Sequence, residues 1–100
     1  MIKKDVEDFD EMNEFLKEEK DLFFTNLIIC IQEGWESDSE VVDVAVFKIL
    51  DSGNTIHISI DREDWFETLH LGLYHFEETE NYEYCGEINN LIKKMYFIDD

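Results

Sequence analysis

The side chains that could do chemistry in this sequence are its three histidines, two cysteines and many carboxylates. His57 and Ser59 share one side of a predicted strand, as two members of a nucleophilic site would, but no acid can be assigned to orient the histidine. His70 and His75 diverge by more than a right angle on a helix and do not chelate one metal easily. With 26 acidic residues, carboxylate pairs follow from abundance alone. The sequence therefore predicts no enzyme, no metal and no cofactor.

No short motif of a known catalytic or nucleotide-binding site supports a different interpretation. The sequence contains no glycine-rich phosphate loop, no nucleophile elbow and no CxxC pair. Residues 36–40 are similar to the start of a calcium loop, but Val41 stands where such a loop needs glycine and Phe47 where it needs its final glutamate. Cys30 and Cys85 lie in apolar segments, which is typical of buried, reduced thiols. These features favour a cytoplasmic protein.

The composition excludes several classes of partner. With 26 Asp and Glu against 8 Lys and Arg, the net charge is −18 at pH 7, whereas binding to nucleic acid or to an anionic membrane needs clustered Lys and Arg. A hydrophobic content of 44% and an aromatic content of 14% oppose disorder. The longest apolar run, residues 27–31, is far too short to span a membrane. One hundred residues then indicate a single acidic domain, residues 1–100.

The first third of the chain predicts a helix followed by a strand. Residues 5–20 carry apolar side chains at helical spacing, with Asp5 as the expected N-cap. Residues 22–32 change period and are apolar at both odd and even positions. This pattern favours a strand that is covered on both faces. A polar loop is expected over residues 33–40.

The next segments predict a β-hairpin. Residues 41–50 are rich in valine, residues 51–54 are turn residues, and residues 55–60 alternate between isoleucine and polar side chains. A two- or four-residue loop pairs odd positions of the first strand with even positions of the second. Phe47 and Ile49 should therefore share a face with the three isoleucines.

Two further helices are expected after the hairpin. Asp61 is the expected N-cap of the first, and the acidic residues 77–83 interrupt the chain before the second. The expected buried positions are Phe66, Leu69, Leu73 and Phe76 in the first helix, and Tyr84, Ile88, Leu91, Ile92 and Met95 in the second. The order is α-β-β-β-α-α, an α+β fold in which a three-stranded antiparallel meander packs against helices.

The distribution of charge points to a binding surface. Residues 1–20 hold eight acids and four lysines, whereas residues 21–92 hold sixteen acids and only Lys48 and Arg62. Two clusters in this span combine acids with aromatic side chains, as interface hot spots do. The candidate partner-binding residues are Glu33, Trp35, Glu36, Asp38, Glu40 and Asp43 in the first cluster, and Glu77, Glu78, Glu80, Tyr82 and Glu83 in the second. The plainer alternative is a solvated acidic face, with Trp35 folded back onto the sheet.

A surface of this kind fits a basic partner protein, and a basic protein surface is most often one that binds nucleic acid. The expected mechanism is occlusion, in which the acidic face docks onto the basic cleft of a nuclease or another nucleic-acid-handling protein and excludes its substrate. Long-range attraction then makes association fast and sensitive to salt, and aromatic contacts govern dissociation.

The small size, the α+β layout and the two acidic segments, residues 33–40 and 77–83, resemble those of the immunity proteins of bacterial toxin–immunity systems, including contact-dependent growth inhibition. The resemblance covers the whole chain and assigns no individual residue. It implies a cytoplasmic protein that is not an enzyme and that blocks the active site of a nuclease toxin domain in a 1:1 complex.

Two other functions fit the same charge. A phage-type mimic of nucleic acid, inhibiting a host restriction, repair or CRISPR protein, would share the mechanism and differ in biological context. An acidic secretion chaperone also combines α-β-β-β-α segments with acidity, but such proteins usually continue with further strands and depend on dimerisation.

Overall fold

The computed structural model describes residues 1–96 and shows an α+β fold, as the sequence predicts. Seven elements and one short 3₁₀ turn follow one another along this part of the chain. They are β1 (Ile2–Val6), α1 (Phe9–Glu18), α2 (Lys20–Glu36), β2 (Val41–Ile49), β3 (Thr55–Asp61), the 3₁₀ turn (Arg62–Asp64), α3 (Trp65–Glu78) and α4 (Tyr82–Tyr96). The observed order is β-α-α-β-β-α-α, so the predicted order α-β-β-β-α-α is only partly right.

The sheet is mixed, with strand order β1-β2-β3, and the predicted antiparallel meander is wrong for one of its two pairings. β1 lies parallel to β2, with Ile2 opposite Ala45 and Val6 opposite Ile49. A parallel pair needs a crossover connection, which α1 and α2 supply here. β1 shows no strand pattern in the sequence, because Lys3, Lys4 and Asp5 occupy the middle of a five-residue strand.

The predicted hairpin is confirmed. β2 and β3 pair antiparallel with Phe47 opposite Ile56 and Ala45 opposite Ile58, so odd positions of β2 face even positions of β3 near the turn, whereas beyond a register shift Val42 lies opposite Ile60. The register shifts between Asp43 and Ala45, and the extra residue, Val44, is fully buried with Ala45. This bulge keeps a continuous apolar face on β2 although two neighbouring residues point inward.

The first helix is shorter than predicted. Residues 5–8 are not helical, and the N-cap is Asp8, not Asp5: the Asp8 carboxylate accepts a hydrogen bond from the Glu11 backbone N–H at 2.9 Å. The Glu11 carboxylate also accepts a hydrogen bond from the backbone N–H of Glu7, the residue before the N-cap, at 3.0 Å. Together the two bonds fix the start of α1.

The strand predicted over residues 22–32 is wrong, because this segment lies inside the 17-residue helix α2. Its buried residues Leu27, Ile28, Ile31 and Gly34 recur at helical spacing, and the apolar Leu22 and Ile29 are exposed. The apolar residues of this segment fit both the two-residue period of a strand and the 3.6-residue period of a helix. The segment is longer than a typical strand, and this length favours a helix. The helix also takes in residues 33–36 of the expected loop.

The two C-terminal helices form where the sequence predicts them. α3 buries Trp65, Leu69, Gly72 and Phe76, while Phe66 is exposed and Leu73 half-buried, so half of the expected stripe is confirmed. α4 buries Ile88, Leu91, Ile92 and Met95 as predicted, and Cys85 in addition. The prediction of Asp61 as the N-cap of α3 is wrong: Asp61 precedes the 3₁₀ turn without a side-chain capping bond, and the residue before α3 is Asp64.

The helical layer covers one face of the sheet. α3 runs antiparallel to α4, since Phe66 contacts Tyr96 at one end and Phe76 stacks on Tyr84 at the other. α2 runs antiparallel to α3, and its Asn26 side chain donates a hydrogen bond to the Val44 carbonyl of β2 at 2.7 Å. None of the helices within residues 1–96 is long and apolar enough to cross a membrane.

Candidate functional site

The first acidic cluster surrounds the C-terminal end of α2. Ser37 is the C-cap, and Asp38 follows with φ 56°, a left-handed backbone. The backbone N–H of Asp38 donates to the Trp35 carbonyl at 3.2 Å, and that of Ser39 donates to the Gly34 carbonyl at 2.8 Å. These two bonds form a Schellman motif, in which glycine is the usual left-handed residue. Here an aspartate takes that position.

Arg62 neutralises this helix end. Its Nη1 lies 2.8 Å from Oδ1 of Asp38 and donates a second bond to the Ser39 carbonyl at 3.3 Å. The guanidinium carbon lies 5.0 Å from the centre of the Trp35 ring and 5.4 Å from that of Trp65. An arginine held by two aromatic rings and a carboxylate is a strong combination of cation–π and ionic contacts. Trp35, Asp38, Arg62 and Trp65 are called the Arg62 clamp below.

The other members of the first cluster are scattered. Glu36 lies 3.9 Å from Nζ of Lys94, and Asp43 accepts a hydrogen bond from the Ser59 hydroxyl on the open face of the sheet. Glu33 and Glu40 are exposed. Trp35, the expected aromatic anchor, is half-buried against the core. The first cluster therefore does not form one bare acidic patch.

The second acidic cluster surrounds the C-terminal end of α3, which has the same construction. Thr79 is the C-cap, and Glu80 follows with φ 58°. The backbone N–H of Glu80 donates to the Glu77 carbonyl at 3.1 Å, and that of Asn81 donates to the Phe76 carbonyl at 2.8 Å. A second Schellman motif thus ends α3, again with an acid at the left-handed position.

Among residues 1–96, no Lys or Arg forms an ion pair with this second end, and His75 in the last turn pairs with Asp21. Within residues 1–96, no Lys or Arg nitrogen lies within 4.0 Å of a carboxylate of its four glutamates. Between Arg62 and Lys93 the sequence has eight acids and no Lys or Arg. Tyr82 is 67% exposed, whereas Tyr84 stacks on Phe76. The residues Glu77, Glu78, Glu80, Tyr82 and Glu83 are called the acidic corner below.

The two clusters do not form one surface. The Arg62 clamp lies where α3 begins, and the acidic corner lies where α3 ends. α3 has 14 residues, so about 20 Å of helix separates the two clusters. The structure therefore scatters the first predicted cluster, keeps the second around the C-terminal end of α3, and holds the two clusters apart.

Two exposed apolar residues escaped the sequence prediction. Leu71 and Tyr74 lie on the outer side of α3 and are 58% and 66% exposed. Hydrogen bonding to Glu78, one turn beyond Tyr74, and the negative charge of that carboxylate raise the pKa of the Tyr74 phenol. The signal was available, because Leu71 and Tyr74 fall opposite the buried positions Leu69 and Phe76 on a helix of 3.6 residues per turn.

The side chains with catalytic potential are not assembled into a site. Ser59 donates directly to Asp43, and no hydrogen bond within residues 1–96 joins His57 to either of them. Burial raises the pKa of both the Cys30 and Cys85 thiols, which disfavours the reactive thiolates. Oxygens of three exposed carboxylates, those of Asp61, Glu63 and Asp64, come within 4.8 Å of one another.

Comparison with known proteins adds no relative. No protein-family model matches the chain, and neither a curated protein nor a solved structure matches it.

Proposed function

We propose that this chain is a cytoplasmic binding protein that neutralises a basic partner by covering its working surface, as an immunity protein does to a nuclease toxin domain. The acidic corner makes the contact, in a 1:1 complex. The chain itself catalyses nothing and binds neither nucleic acid nor membrane. The partner's cationic cleft, which holds nucleic acid when free, is filled by carboxylates in the complex.

The observation that carries this proposal is the uncompensated end of α3. Glu77, Glu78 and Glu80 place three negative charges at the negative end of the helix dipole. Glu80 also adopts a left-handed backbone that costs a residue with a Cβ about 1 kcal/mol. Local choices that oppose the fold and are not compensated within it are typical of functional sites.

The α2 end shows what compensation looks like. Asp38 likewise combines a negative charge at a helix C-terminus with a left-handed backbone. Arg62 compensates by forming an ion pair with Asp38 while its guanidinium lies over the Trp35 and Trp65 rings. A basic partner would give the α3 end what Arg62 gives the α2 end. The exposed Tyr82 ring offers this partner an apolar contact inside the charged rim.

The long-range charge supports the same mechanism. A chain of net charge −18 attracts a cationic protein before contact and raises the association rate, and the effect weakens with ionic strength. Once the two proteins touch, desolvated contacts at the corner set the dissociation rate. We expect the association rate to fall by about ten-fold or more between low and physiological salt.

The test starts from the partner itself. The chain, tagged and purified from the cells that encode it, is used to identify the protein that copurifies, and the purified partner is assayed for cleavage of DNA and RNA. We expect a basic nuclease whose activity falls to zero at one equivalent of the chain. An acidic partner, or a nuclease that stays fully active in the complex, contradicts the proposal.

A matched pair of charge-reversal variants locates the contact. The triple variant E77K/E78K/E80K and the control D10K/E14K/E18K on α1 change the net charge equally, and all six positions are exposed. We expect the corner variant to lose inhibition by about 100-fold or more and the control by less than about five-fold. Equal losses would mean that net charge acts without a defined contact.

A further inference from the structure

The outer side of α3 carries an apolar surface that continues into the acidic corner. Leu71 and Tyr74 are among the most exposed large apolar side chains of residues 1–96. Glu67 lies one turn before Leu71 and Glu78 one turn after Tyr74, so the four residues form a stripe along one side of the helix. A contiguous exposed apolar surface rimmed by charged residues is a feature of contact surfaces.

Next to this stripe lies a groove between α3 and the start of α2. It has a volume of about 450 Å³, and its lining residues are Lys20, Phe24, Leu71, Tyr74, His75 and Glu78. His75 forms one wall, stacked on Phe24 at 5.2 Å between ring centres, with its Nε2 2.6 Å from Oδ1 of Asp21. Because Phe24 and Phe76 both contact the His75 ring, this wall is fixed by packing.

Carboxylates outnumber Lys and Arg around the groove and favour a cationic occupant. Glu78 lines it, Asp21 stands beside His75, and Glu67 and Glu77 lie on the same helix. Lys20 is the one Lys or Arg among the lining residues, and the other basic side chain, His75, is paired with Asp21. An apolar floor with an exposed aromatic ring and a neighbouring carboxylate suits a side chain that is both apolar along its stem and cationic at its planar head.

We infer that the groove between α2 and α3 receives an arginine side chain of the basic partner, with its guanidinium on the Tyr74 ring and against the Glu78 carboxylate. Its aliphatic stem lies on Leu71. This inference rests on the proposed function and names the anchor of that interface. The fold already uses the same chemistry for its own arginine, since Arg62 lies over two aromatic rings and 2.8 Å from a carboxylate.

A second groove of similar size, about 470 Å³, lies between α2 and α4 and serves as the internal comparison. Its most exposed apolar residue is Ile29, at 50%, and its aromatic ring, Tyr84, is stacked on Phe76 and half-buried. Lys94 lines it and lies 3.9 Å from Glu36. This groove therefore offers no exposed ring for a guanidinium.

The experiment uses a defined peptide probe. A capped 13-residue alanine helix with arginine at positions 3, 7 and 11, and its twin with lysine at the same positions, are titrated into the isotope-labelled full chain and followed by NMR. We expect saturable shifts centred on Leu71, Tyr74, His75 and Glu78, and an affinity at least about five-fold higher for the arginine peptide. Tyr74→Ala should weaken the arginine peptide by about five-fold or more. Ile29→Ala, the matched control, should change the affinity by less than about two-fold.

Several results would overturn the inference. These are shifts centred on the α2–α4 groove or the open sheet face, equal affinity of the two peptides, equal effects of the two variants, or shifts that follow protein dilution because a second copy occupies the groove. The proposed function fails separately, if no basic partner is neutralised while the arginine peptide still binds at Tyr74. If Tyr74→Ala inhibits the nuclease as well as the unaltered chain does, the inference fails and the proposed function stands.

Discussion

The C-terminal ends of α2 and α3 have the same local structure and different surroundings. Each ends in a Schellman motif with a hydroxyl-bearing C-cap, Ser37 or Thr79, followed by an acid in the left-handed conformation, Asp38 or Glu80. In both, the cap hydroxyl donates back to a carbonyl four residues earlier. One end is neutralised by an arginine, and the other is open to solvent.

This difference shows that the local sequence does not decide whether an acid is structural or available. The arginine that neutralises Asp38 lies 24 residues away, on the 3₁₀ turn before α3. The two acidic clusters look alike along the chain, and only the tertiary fold distinguishes them. In the first cluster Asp38 forms an ion pair within the fold, whereas within residues 1–96 no Lys or Arg forms one with Glu80 in the second.

The largest expected effect tests how tightly the α2 end is packed. A Cβ added at Gly34 would overlap Cγ1 of Val42 and lie 3.1 Å from the Trp65 ring, so Gly34→Ala should destabilise the fold by about 1–3 kcal/mol. Gly86 follows the acidic corner on α4 and has no atom within 4 Å of an added Cβ. Gly86→Ala should therefore stabilise by about 0.5–1 kcal/mol. Urea unfolding followed by circular dichroism measures both, and equal changes would show that the two ends are packed alike.

Removing the arginine should make the α2 end resemble the α3 end. Arg62→Met keeps the apolar stem and removes the charge, so the contacts with Asp38 and the two tryptophans are lost. We expect a loss of about 1–2 kcal/mol in the free energy of unfolding. Asp38→Asn in the Arg62→Met background should then cost nothing further. A large additional loss would assign Asp38 a role apart from Arg62.

Glycine substitutions separate the two left-handed acids. Glu80→Gly relieves the backbone and removes an unanswered charge, so it should stabilise by about 1 kcal/mol. Asp38→Gly relieves the same strain but removes the ion pair with Arg62, so its net change should be about 0–0.5 kcal/mol. Thermal unfolding at low and high salt compares them. The comparison between the two helix ends fails if Asp38→Gly stabilises as much as Glu80→Gly.

The smallest effect concerns Tyr74. Hydrogen bonding to Glu78 and the negative charge of that carboxylate raise the pKa of its phenol, so Glu78→Gln should return that pKa toward the ordinary value. Because the folded pKa is raised, the interaction is complete below the ordinary tyrosine pKa and is lost as the pH rises through the raised value. Absorbance titration, with Tyr74→Phe to identify the signal, measures this. An unchanged Tyr74 pKa in Glu78→Gln would show that Glu78 does not act on the Tyr74 phenol.

Some parts of the fold could be predicted from sequence because only one secondary structure fits their pattern of apolar and polar residues. Residues 55–60 alternate with period two beside a turn cluster, and that pattern specifies a strand and its register. Residues 22–32 satisfy both periods, so the strand prediction failed. β1 is too short and too charged to show a pattern. Both helix ends lack the glycine that normally marks them, so no local signal placed Glu36 in a helix or showed the shared geometry of Asp38 and Glu80.

The sequence identifies the composition of the candidate site but does not specify its arrangement. Abundant acids next to Trp35 and Tyr82 identified both helix ends as candidates. Only the α2 end forms an ion pair with an arginine within residues 1–96. Arg62 reaches it through a tertiary contact, in which its guanidinium lies over the Trp35 and Trp65 rings. Leu71 and Tyr74 were passed over because the prediction followed the buried positions of α3 and not the opposite side of the helix.

The parallel pairing of β1 with β2 has a consequence for the order in which the chain is assembled. Ile2 is synthesised before its partner, Ala45, which follows only after two complete helices. The β2–β3 hairpin is a local contact and can close on its own, whereas β1 must wait for a preformed edge. We therefore expect β1, although it is made before β2 and β3, to join the sheet after them, and until it does, the nascent protein exposes the β2 edge to other unfinished chains.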